Sequence, residues 1–169
     1  MNRFYFFIGA SLLLLASGCE VTDEPAAATA PAAGPAAAQS DIARGELAFT
    51  TDLAQGLSTA QQDGKPLLVF FTARQCHFCH EMARESFTNR QVISLSQQFV
   101  CVLVDADTQP DLCQRYQVRG FPTIQFISPR GVPLNRVVGK RSSQEIMQQM
   151  QTALQAIAAT QNRTGIERL

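Results

Sequence analysis

Two cysteines and two histidines fall within five consecutive positions of this 169-residue chain, in the stretch FTARQCHFCHEM at residues 71–82. Cys76 and Cys79 are separated by two residues, and His77 and His80 each follow a cysteine. Three kinds of site fit such a segment: a redox-active dithiol, a c-type haem attachment site that uses Cys76, Cys79 and His80, and half of a zinc site. The elements that surround the motif have to discriminate among them.

Strand-like runs lie on both sides of the motif. The apolar run LLVFF at 67–71 directly precedes it and has the length of a strand that is covered on both faces. FVCVLVD at 99–105 is predicted to be a second buried strand. TIQFIS at 123–128 and LNRVVG at 134–139 are predicted to form a hairpin, because Pro-Arg-Gly between them is typical of a turn.

Helical patterns separate these strands. One helix is predicted to begin at an N-cap in Thr51-Asp52 and to end at Gly64. Others follow the motif, lie around 111–116, and begin at the capping box formed by Ser142 and Glu145. Strands joined through helices favour parallel pairing, whereas a closing hairpin is antiparallel. The sequence therefore predicts an α/β fold with a mixed central sheet and helices on both faces.

A cysteine that follows a strand and begins a helix is suited to nucleophilic chemistry. The unpaired N–H groups and the positive end of the helix dipole favour its thiolate, and cysteines in such settings have pKa values of about 3.5 to 7.5. We therefore expect Cys76 to attack a disulfide, with His77 tuning its thiolate. Cys79, which we expect to be more buried, would resolve the mixed disulfide.

Three segments carry a resemblance to the thioredoxin-like superfamily between residues 49 and 157: LLVFFTARQCHFCHEM, FVCVLVDAD and YQVRGFPTIQFISPRG. CHFCHEMARESF is similar to a branch in which His and a Glu-Ser-Phe segment follow the motif, and to domains of exported thiol–disulfide interchange proteins. The resemblance implies a three-layer thioredoxin-like fold and an oxidoreductase that exchanges disulfides with proteins or small molecules. It implies no cofactor, because the dithiol itself carries two electrons. It also implies that Phe121 and Pro122 form a cis-proline loop that binds substrate.

The chain departs from that family at three places. Gln75 stands where a tryptophan is typical, and Phe70 stands where many thioredoxins carry a buried acid that assists proton transfer. Without that acid, either Glu81 or a water molecule serves in its place, or turnover is slow. The histidine inside the motif predicts a disulfide that is more oxidising than that of thioredoxin, whose potential is about −270 mV. The missing tryptophan and the missing buried acid favour one alternative, a non-catalytic binding module on the same fold.

The chain begins with a segment typical of export signals. Arg3 precedes an apolar run at 4–16, which is shorter than the about 20 residues that a membrane-spanning helix needs. Ala16-Ser17-Gly18-Cys19 resembles a bacterial lipobox, with Ala16 where Leu is usual. The resemblance implies lipidation of Cys19 and a bacterial membrane anchor facing the periplasm or the cell exterior. The alternative is an ordinary cleaved signal peptide with an incidental cysteine.

We predict a signal peptide at 1–18, a tether rich in alanine and proline at 19–42, a thioredoxin-like domain at 43–160 and a C-terminal tail at 161–169. Removing 1–18 takes one of the 14 basic residues and no acid, which leaves 13 basic and 14 acidic residues. This near-neutral balance predicts no nucleic-acid partner. The compartment instead implies a membrane partner that exchanges electrons with the dithiol.

The remaining cysteines have ordinary interpretations. Cys101 lies in a predicted strand as a small apolar side chain, and Cys113 lies in a predicted helix where alanine would serve. A disulfide between Cys101 and Cys113 is the alternative. Neither is an obvious donor of a second zinc-ligand pair, so we predict no metal site. Asp105 and Asp107 end a strand and are expected to shape a turn.

Overall fold

The computed structural model describes residues 44–166. The predicted signal peptide, Cys19 and the tether lie outside the described residues. Within them, the elements in chain order are β1 (Phe49–Thr50), α1 (Leu53–Asp63), β2 (Leu67–Thr72), α2 (His77–Glu85), α3 (Arg90–Ser96), β3 (Val100–Asp105), α4 (Pro110–Arg115), β4 (Thr123–Ile127), β5 (Pro133–Val138) and α5 (Ser143–Ile166). None of these helices is both long and apolar enough to cross a membrane.

The five strands form one mixed sheet in the order β1-β3-β2-β4-β5. The central strand β2 runs parallel to β3 and antiparallel to β4, and β4 forms the predicted antiparallel hairpin with β5. The prediction of a mixed α/β sheet is confirmed. Strand β1, which pairs in parallel with β3 at the edge of the sheet, was not predicted. Its two residues are too few to show the alternation by which a strand is recognised.

Strand β2 is buried on both faces because its side chains alternate between two cores. Leu68 and Phe70 belong to the core that holds the apolar residues of α2, α3 and α5. Leu67, Val69 and Phe71 belong to the core on the other face, which includes residues of α1 and α4. The predicted three-layer arrangement, with helices on both faces, is confirmed.

Polar side chains define where α1 and α5 begin. Asp52 is the N-cap of α1, and its carboxylate accepts the N–H groups of Ala54 at 2.8 Å and Gln55 at 3.0 Å. Before α5, Ser142 N–H donates to Glu145 Oε2 at 2.9 Å, and Glu145 N–H donates to Ser142 Oγ at 3.3 Å. The hydrogen bond from the Ser142 backbone lowers the pKa of the Glu145 carboxyl. Helix α5 continues past residue 160, where the domain was predicted to end.

The two cysteines outside the motif are free and buried on opposite faces of the sheet. Cys101 lies in β3 and packs in the core with α2, whereas Cys113 lies in α4 and packs in the other core. The alternative of a Cys101–Cys113 disulfide is therefore wrong, because the sheet separates the two sulfurs. Burial raises the pKa of the Cys101 thiol to about 12.

The topology brings three loops to one edge of the sheet. Parallel strands β2 and β3 end together, since Thr72 pairs with Asp105. Antiparallel β4 begins at the same edge, since Thr123 pairs with Phe71. The segment that enters α2, the loop after β3 and the loop before β4 therefore lie next to one another.

We predict that Asp52→Ala lowers the free energy of unfolding by about 1 kcal/mol, because two N–H groups of α1 lose their capping acceptor. Chemical denaturation followed by circular dichroism measures the change. Asp52→Asn keeps a capping oxygen and is the matched control, with an expected loss near zero. Equal losses in the two variants would contradict the capping role.

Candidate active site

Cys76 and Cys79 are joined by a disulfide at the start of α2. Cys76 is the N-cap residue of the helix and is half-buried, whereas Cys79 is fully buried. The Cys79 N–H donates to Cys76 Sγ at 3.2 Å and to the Cys76 carbonyl at 3.0 Å. The more accessible sulfur is thus the one predicted to attack, and the buried sulfur is the one predicted to resolve. Their roles in exchange stay predictions.

The position of Cys76 favours its thiolate in the reduced protein. An N-cap sulfur lies beside N–H groups that have no partner inside the helix. The Cys79 N–H already points at this sulfur and would form a charge-assisted bond with a thiolate. The positive end of the helix dipole acts in the same direction.

His77 lies on the surface beside Cys76. Its side chain is 74% exposed, and its Nε2 lies 3.3 Å from Glu81 Oε1, one helical turn away. The imidazole also contacts the ring of Phe78, with 5.7 Å between centroids. The structure therefore places His77 at the motif as predicted, but pairs it with a carboxylate. Its influence on the Cys76 thiolate stays a prediction.

Glu81 forms an ion pair with Lys140 rather than an interaction with the dithiol. Lys140 Nζ lies 3.0 Å from Glu81 Oε2 and 2.8 Å from Glu85 Oε2. The hydrogen bond from Lys140 lowers the pKa of the Glu81 carboxyl, and the charges of Lys140 and His77 act in the same direction. Residues two apart on a helix do not share a face, so Glu81 points away from Cys79. The suggestion that Glu81 replaces the family's buried acid is not supported.

Phe70 occupies the position of that acid with an aromatic ring. It is fully buried and meets the ring of Phe87 edge-on, with 5.0 Å between centroids, and that of Phe49 at 6.0 Å. Phe70 and Cys79 belong to the same core. The buried side chain that faces α2 at this level of β2 therefore contributes packing and no proton acceptor.

The Phe121–Pro122 peptide bond is cis, as the resemblance implies. Phe121 is partly exposed, and Pro122 is buried. Phe121 and Cys76 line an open groove of about 760 Å³, together with Ala73, Arg74, Gln75, His77, Phe78 and Asp107. Phe78, the second residue between the two cysteines, is 57% exposed. The groove thus combines an accessible sulfur with exposed aromatic surface.

The sequence did not single out Arg74, Phe78 or Asp107 as site residues. Asp107 was expected only to shape a turn, yet its Oδ2 accepts the Arg74 N–H at 2.7 Å. One signal was available, because Asp107 follows a strand that runs parallel to the strand before the motif. The carboxyl ends of such strands meet at one edge.

The cysteine and histidine side chains that the haem and zinc alternatives require already have other partners. Cys76 and Cys79 are bonded to each other, and His80 Nε2 lies 2.9 Å from the Arg74 carbonyl. Among residues 44–166, no three or more His, Cys, Asp or Glu side chains are clustered so as to hold a metal ion.

A family model for the thioredoxin-like domain matches residues 53–154, which include the motif and the cis-proline loop. The chain belongs to the thioredoxin-like family. Its fold and its Cys-x-x-Cys disulfide agree with that membership.

Curated relatives of this thioredoxin-like chain include thiol–disulfide proteins. The thiol:disulfide interchange protein DsbD of Vibrio vulnificus is 33% identical over 88 residues, 50% of this chain and 15% of the relative. Spermatogenesis-associated protein 20 of Mus musculus is 33% identical over 63 residues, 37% of this chain and 8% of the relative. A protein disulfide-isomerase of Hordeum vulgare is 30% identical over 104 residues, 59% of this chain and 20% of the relative. The chain therefore matches only a small part of each.

Solved structures show the same fold. A thioredoxin from Thermus thermophilus matches with a TM-score of 0.57 and 26% identity, covering 62% of this chain and 85% of that thioredoxin. The DsbH oxidoreductase matches with a TM-score of 0.58 and 24% identity, covering 67% of this chain and 88% of DsbH. At that identity, the second match is evidence for the fold alone.

We predict that iodoacetamide at neutral pH alkylates the cysteines of the reduced, folded protein in a strict order. Cys76 reacts first because it is accessible and lies at a helix start. Cys101 reacts about 1,000-fold more slowly than an ordinary thiol, because burial raises its pKa from 9.0 to about 12 and depletes its thiolate. Peptide mass spectrometry after timed quenching measures the order.

Guanidinium-unfolded protein is the control, in which all four cysteines of the domain should react at similar rates. Modification of Cys101 or Cys113 at the rate of Cys76 in the folded protein would contradict the prediction.

Proposed function

We propose that this thioredoxin-like protein is a thiol–disulfide oxidoreductase that exchanges disulfides with protein or small-molecule substrates. The observation that carries the proposal is the accessible Cys76 sulfur at the start of α2, bonded to the buried Cys79 and open to a groove. Family membership and the interchange proteins among the relatives support it. The chain matches only 15% of the length of the DsbD relative.

The reaction begins when the Cys76 thiolate of the reduced protein attacks one sulfur of a substrate disulfide. The substrate S–S bond breaks, a mixed disulfide forms, and the departing substrate thiolate takes a proton. The Cys79 thiolate then attacks Cys76 Sγ, which releases the second substrate thiol and forms the Cys76–Cys79 bond. Two electrons pass from the protein dithiol to the substrate. The reverse sequence oxidises a substrate dithiol, so the partner's potential decides the direction.

The cis-proline loop is the proposed substrate-binding element. Phe121 lines the groove beside Cys76 and offers an aromatic face to a bound chain. The Pro122 carbonyl accepts the Gly139 N–H at 2.8 Å, which ties the loop to the end of β5. We therefore assign Phe121 the main contact with substrate and Pro122 the role of shaping the loop.

We infer an extracytoplasmic location from the sequence alone. The apolar run and Cys19 support export and lipidation, and the tether at 19–42 would hold the folded domain away from the membrane. A membrane partner would then renew the redox state of the dithiol.

A second candidate is a binding module that uses the groove without exchanging disulfides. Two observations favour it: Phe70 supplies no proton acceptor in the core, and Gln75 replaces the typical tryptophan. Its discriminating property is that binding would not depend on the sulfur of Cys76.

We predict that Cys79→Ser accumulates mixed disulfides with its substrates, because the resolving sulfur is missing while Cys76 still attacks. Non-reducing electrophoresis of a tagged protein, followed by mass spectrometry of the trapped species, measures this. Cys76→Ser is the matched control and should trap nothing. The wild type should reduce insulin, and Cys76→Ser should lose at least about 100-fold in rate.

Negligible insulin reduction by the wild type, combined with an absence of trapped species in Cys79→Ser, would support the binding module and overturn the exchange proposal.

We predict that Cys19→Ser moves the protein from the membrane fraction to the soluble fraction in a bacterial host, because the lipid-bearing thiol is lost. Fractionation followed by immunoblotting measures the shift, and mass spectrometry of the wild type detects the lipid. Cys113→Ser is the control and should remain in the membrane fraction. A wild type that is soluble and unlipidated would support the ordinary signal peptide.

A further inference from the structure

The segment that leads from β2 to Cys76 is held through the backbone of one residue, Arg74. Its N–H donates to Asp107 Oδ2 at 2.7 Å, and its carbonyl accepts from His80 Nε2 at 2.9 Å. A carbonyl oxygen can only accept, so His80 carries a proton on Nε2. Two side chains, one from the loop after β3 and one from helix α2, thus bind the backbone N–H and the backbone carbonyl of the same residue.

We propose that Asp107 and His80 are positioning residues that hold Cys76 at the start of α2 in both the oxidised and the reduced protein. The proposal rests on the proposed function, since it concerns the sulfur that attacks. We call this pair of side chains, with the Arg74 backbone between them, the Arg74 clamp.

The loop that carries Asp107 is itself hydrogen-bonded to the ends of strands β3 and β2. The Asp107 N–H donates to Asp105 Oδ1 at 3.0 Å, and Asp105 is buried at the end of β3. The adjacent Ala106 N–H donates to the Thr72 carbonyl at 2.8 Å, which ties the loop after β3 to the end of β2. Asp107 therefore presents its carboxylate from a fixed backbone, whereas a solvated surface acid could turn away.

Reduction of the disulfide leaves the clamp intact, because neither of its hydrogen bonds involves a sulfur atom. Reduction does remove the covalent bond between the side chains of Cys76 and Cys79. Within the segment itself, the Cys76 N–H donates to the Ala73 carbonyl at 3.1 Å and closes a single turn. Gln75 and the side chain of Arg74 are exposed and supply little packing. The Cys76 carbonyl also accepts the N–H groups of Cys79 at 3.0 Å and His80 at 3.2 Å, which fixes the helix side of the residue in either redox state. The clamp holds the chain that enters Cys76, and the two sets of bonds together keep the reduced sulfur near the Cys79 N–H.

Charge and geometry at Asp107 act in opposite directions on the Cys76 thiolate. The carboxylate is a nearby negative charge, which opposes ionisation, whereas its hydrogen bond keeps the sulfur at the helix start, which favours ionisation. The other titratable groups near this segment are the Arg74 guanidinium, Asp105 at the end of β3, and the imidazoles of His77 and His80 on α2. A useful test must separate the hydrogen bond from the charge.

The test measures the rate of Cys76 alkylation by iodoacetamide against pH in the full reduced chain. Asp107→Asn keeps an acceptor oxygen and removes the charge, whereas Asp107→Ala removes both. Similarly, His80→Gln keeps a donor nitrogen that His80→Ala lacks. Below the thiol pKa, we expect each alanine variant to react about three- to tenfold more slowly than its amide partner, the size of one hydrogen bond. Thermal melting verifies that all four variants are folded.

Hydrogen exchange supplies a second measurement that needs no variant. In the reduced wild type, the Arg74 amide should exchange at least about tenfold more slowly than an unstructured amide, although its residue is exposed. Asp107→Ala should remove this protection and Asp107→Asn should retain it. An unprotected Arg74 amide in the reduced wild type, or equal alkylation rates within each alanine–amide pair, overturns the proposal.

Neither measurement uses a disulfide substrate. Failure of the wild type to reduce insulin, together with a Cys79→Ser variant that traps nothing, would therefore count against the proposed function alone. An active wild type without a protected Arg74 amide would count against the clamp alone.

Discussion

The candidate site depends on one junction, the residue at which an extended chain becomes a helix. Cys76 has extended backbone angles, φ −88° and ψ 96°, and its sulfur accepts the N–H of Cys79 in the first turn of α2. The position of this junction is set by the core. Strand β2 is buried on both faces, and Met82 and Ala83 of α2 pack in the core beneath. The reactivity expected of the sulfur thus follows from where two buried elements meet.

The topology of the sheet explains how loops that are distant in sequence form one groove. Two parallel strands end at one edge, and an antiparallel neighbour begins there, so three loops that are distant in sequence become adjacent in space. Each loop supplies a different component. The loop after β2 carries the sulfur, the loop after β3 carries Asp107, and the loop before β4 carries Phe121. The exposed ring of Phe78 adds apolar surface from the helix itself.

Much of the fold could be predicted from the sequence because the patterns that indicate it involve only neighbouring residues. The apolar runs of β2 and β3, the cap at Asp52 and the capping box at Ser142 each depend on a few adjacent residues. The cis form of Pro122 came from family resemblance, since no local pattern specifies it. The features that sequence could not specify are relations across the sheet. The separation of Cys101 from Cys113 depends on which face each occupies, and the contact of Asp107 with the motif depends on strand pairing.

Phe70 has a consequence for how this protein can evolve. A carboxyl group in that position would be expensive to bury, and such groups usually set activity against stability. Here the ring stacks with other aromatic side chains and strengthens the domain. Mutations that improve core packing around Phe70 can therefore accumulate without disturbing a proton-transferring group, because the Phe70 position holds no such group. In the exchange reaction proposed above, the proton of the Cys79 thiol would leave by way of solvent or substrate, so the cost would fall on the rate of the resolving step.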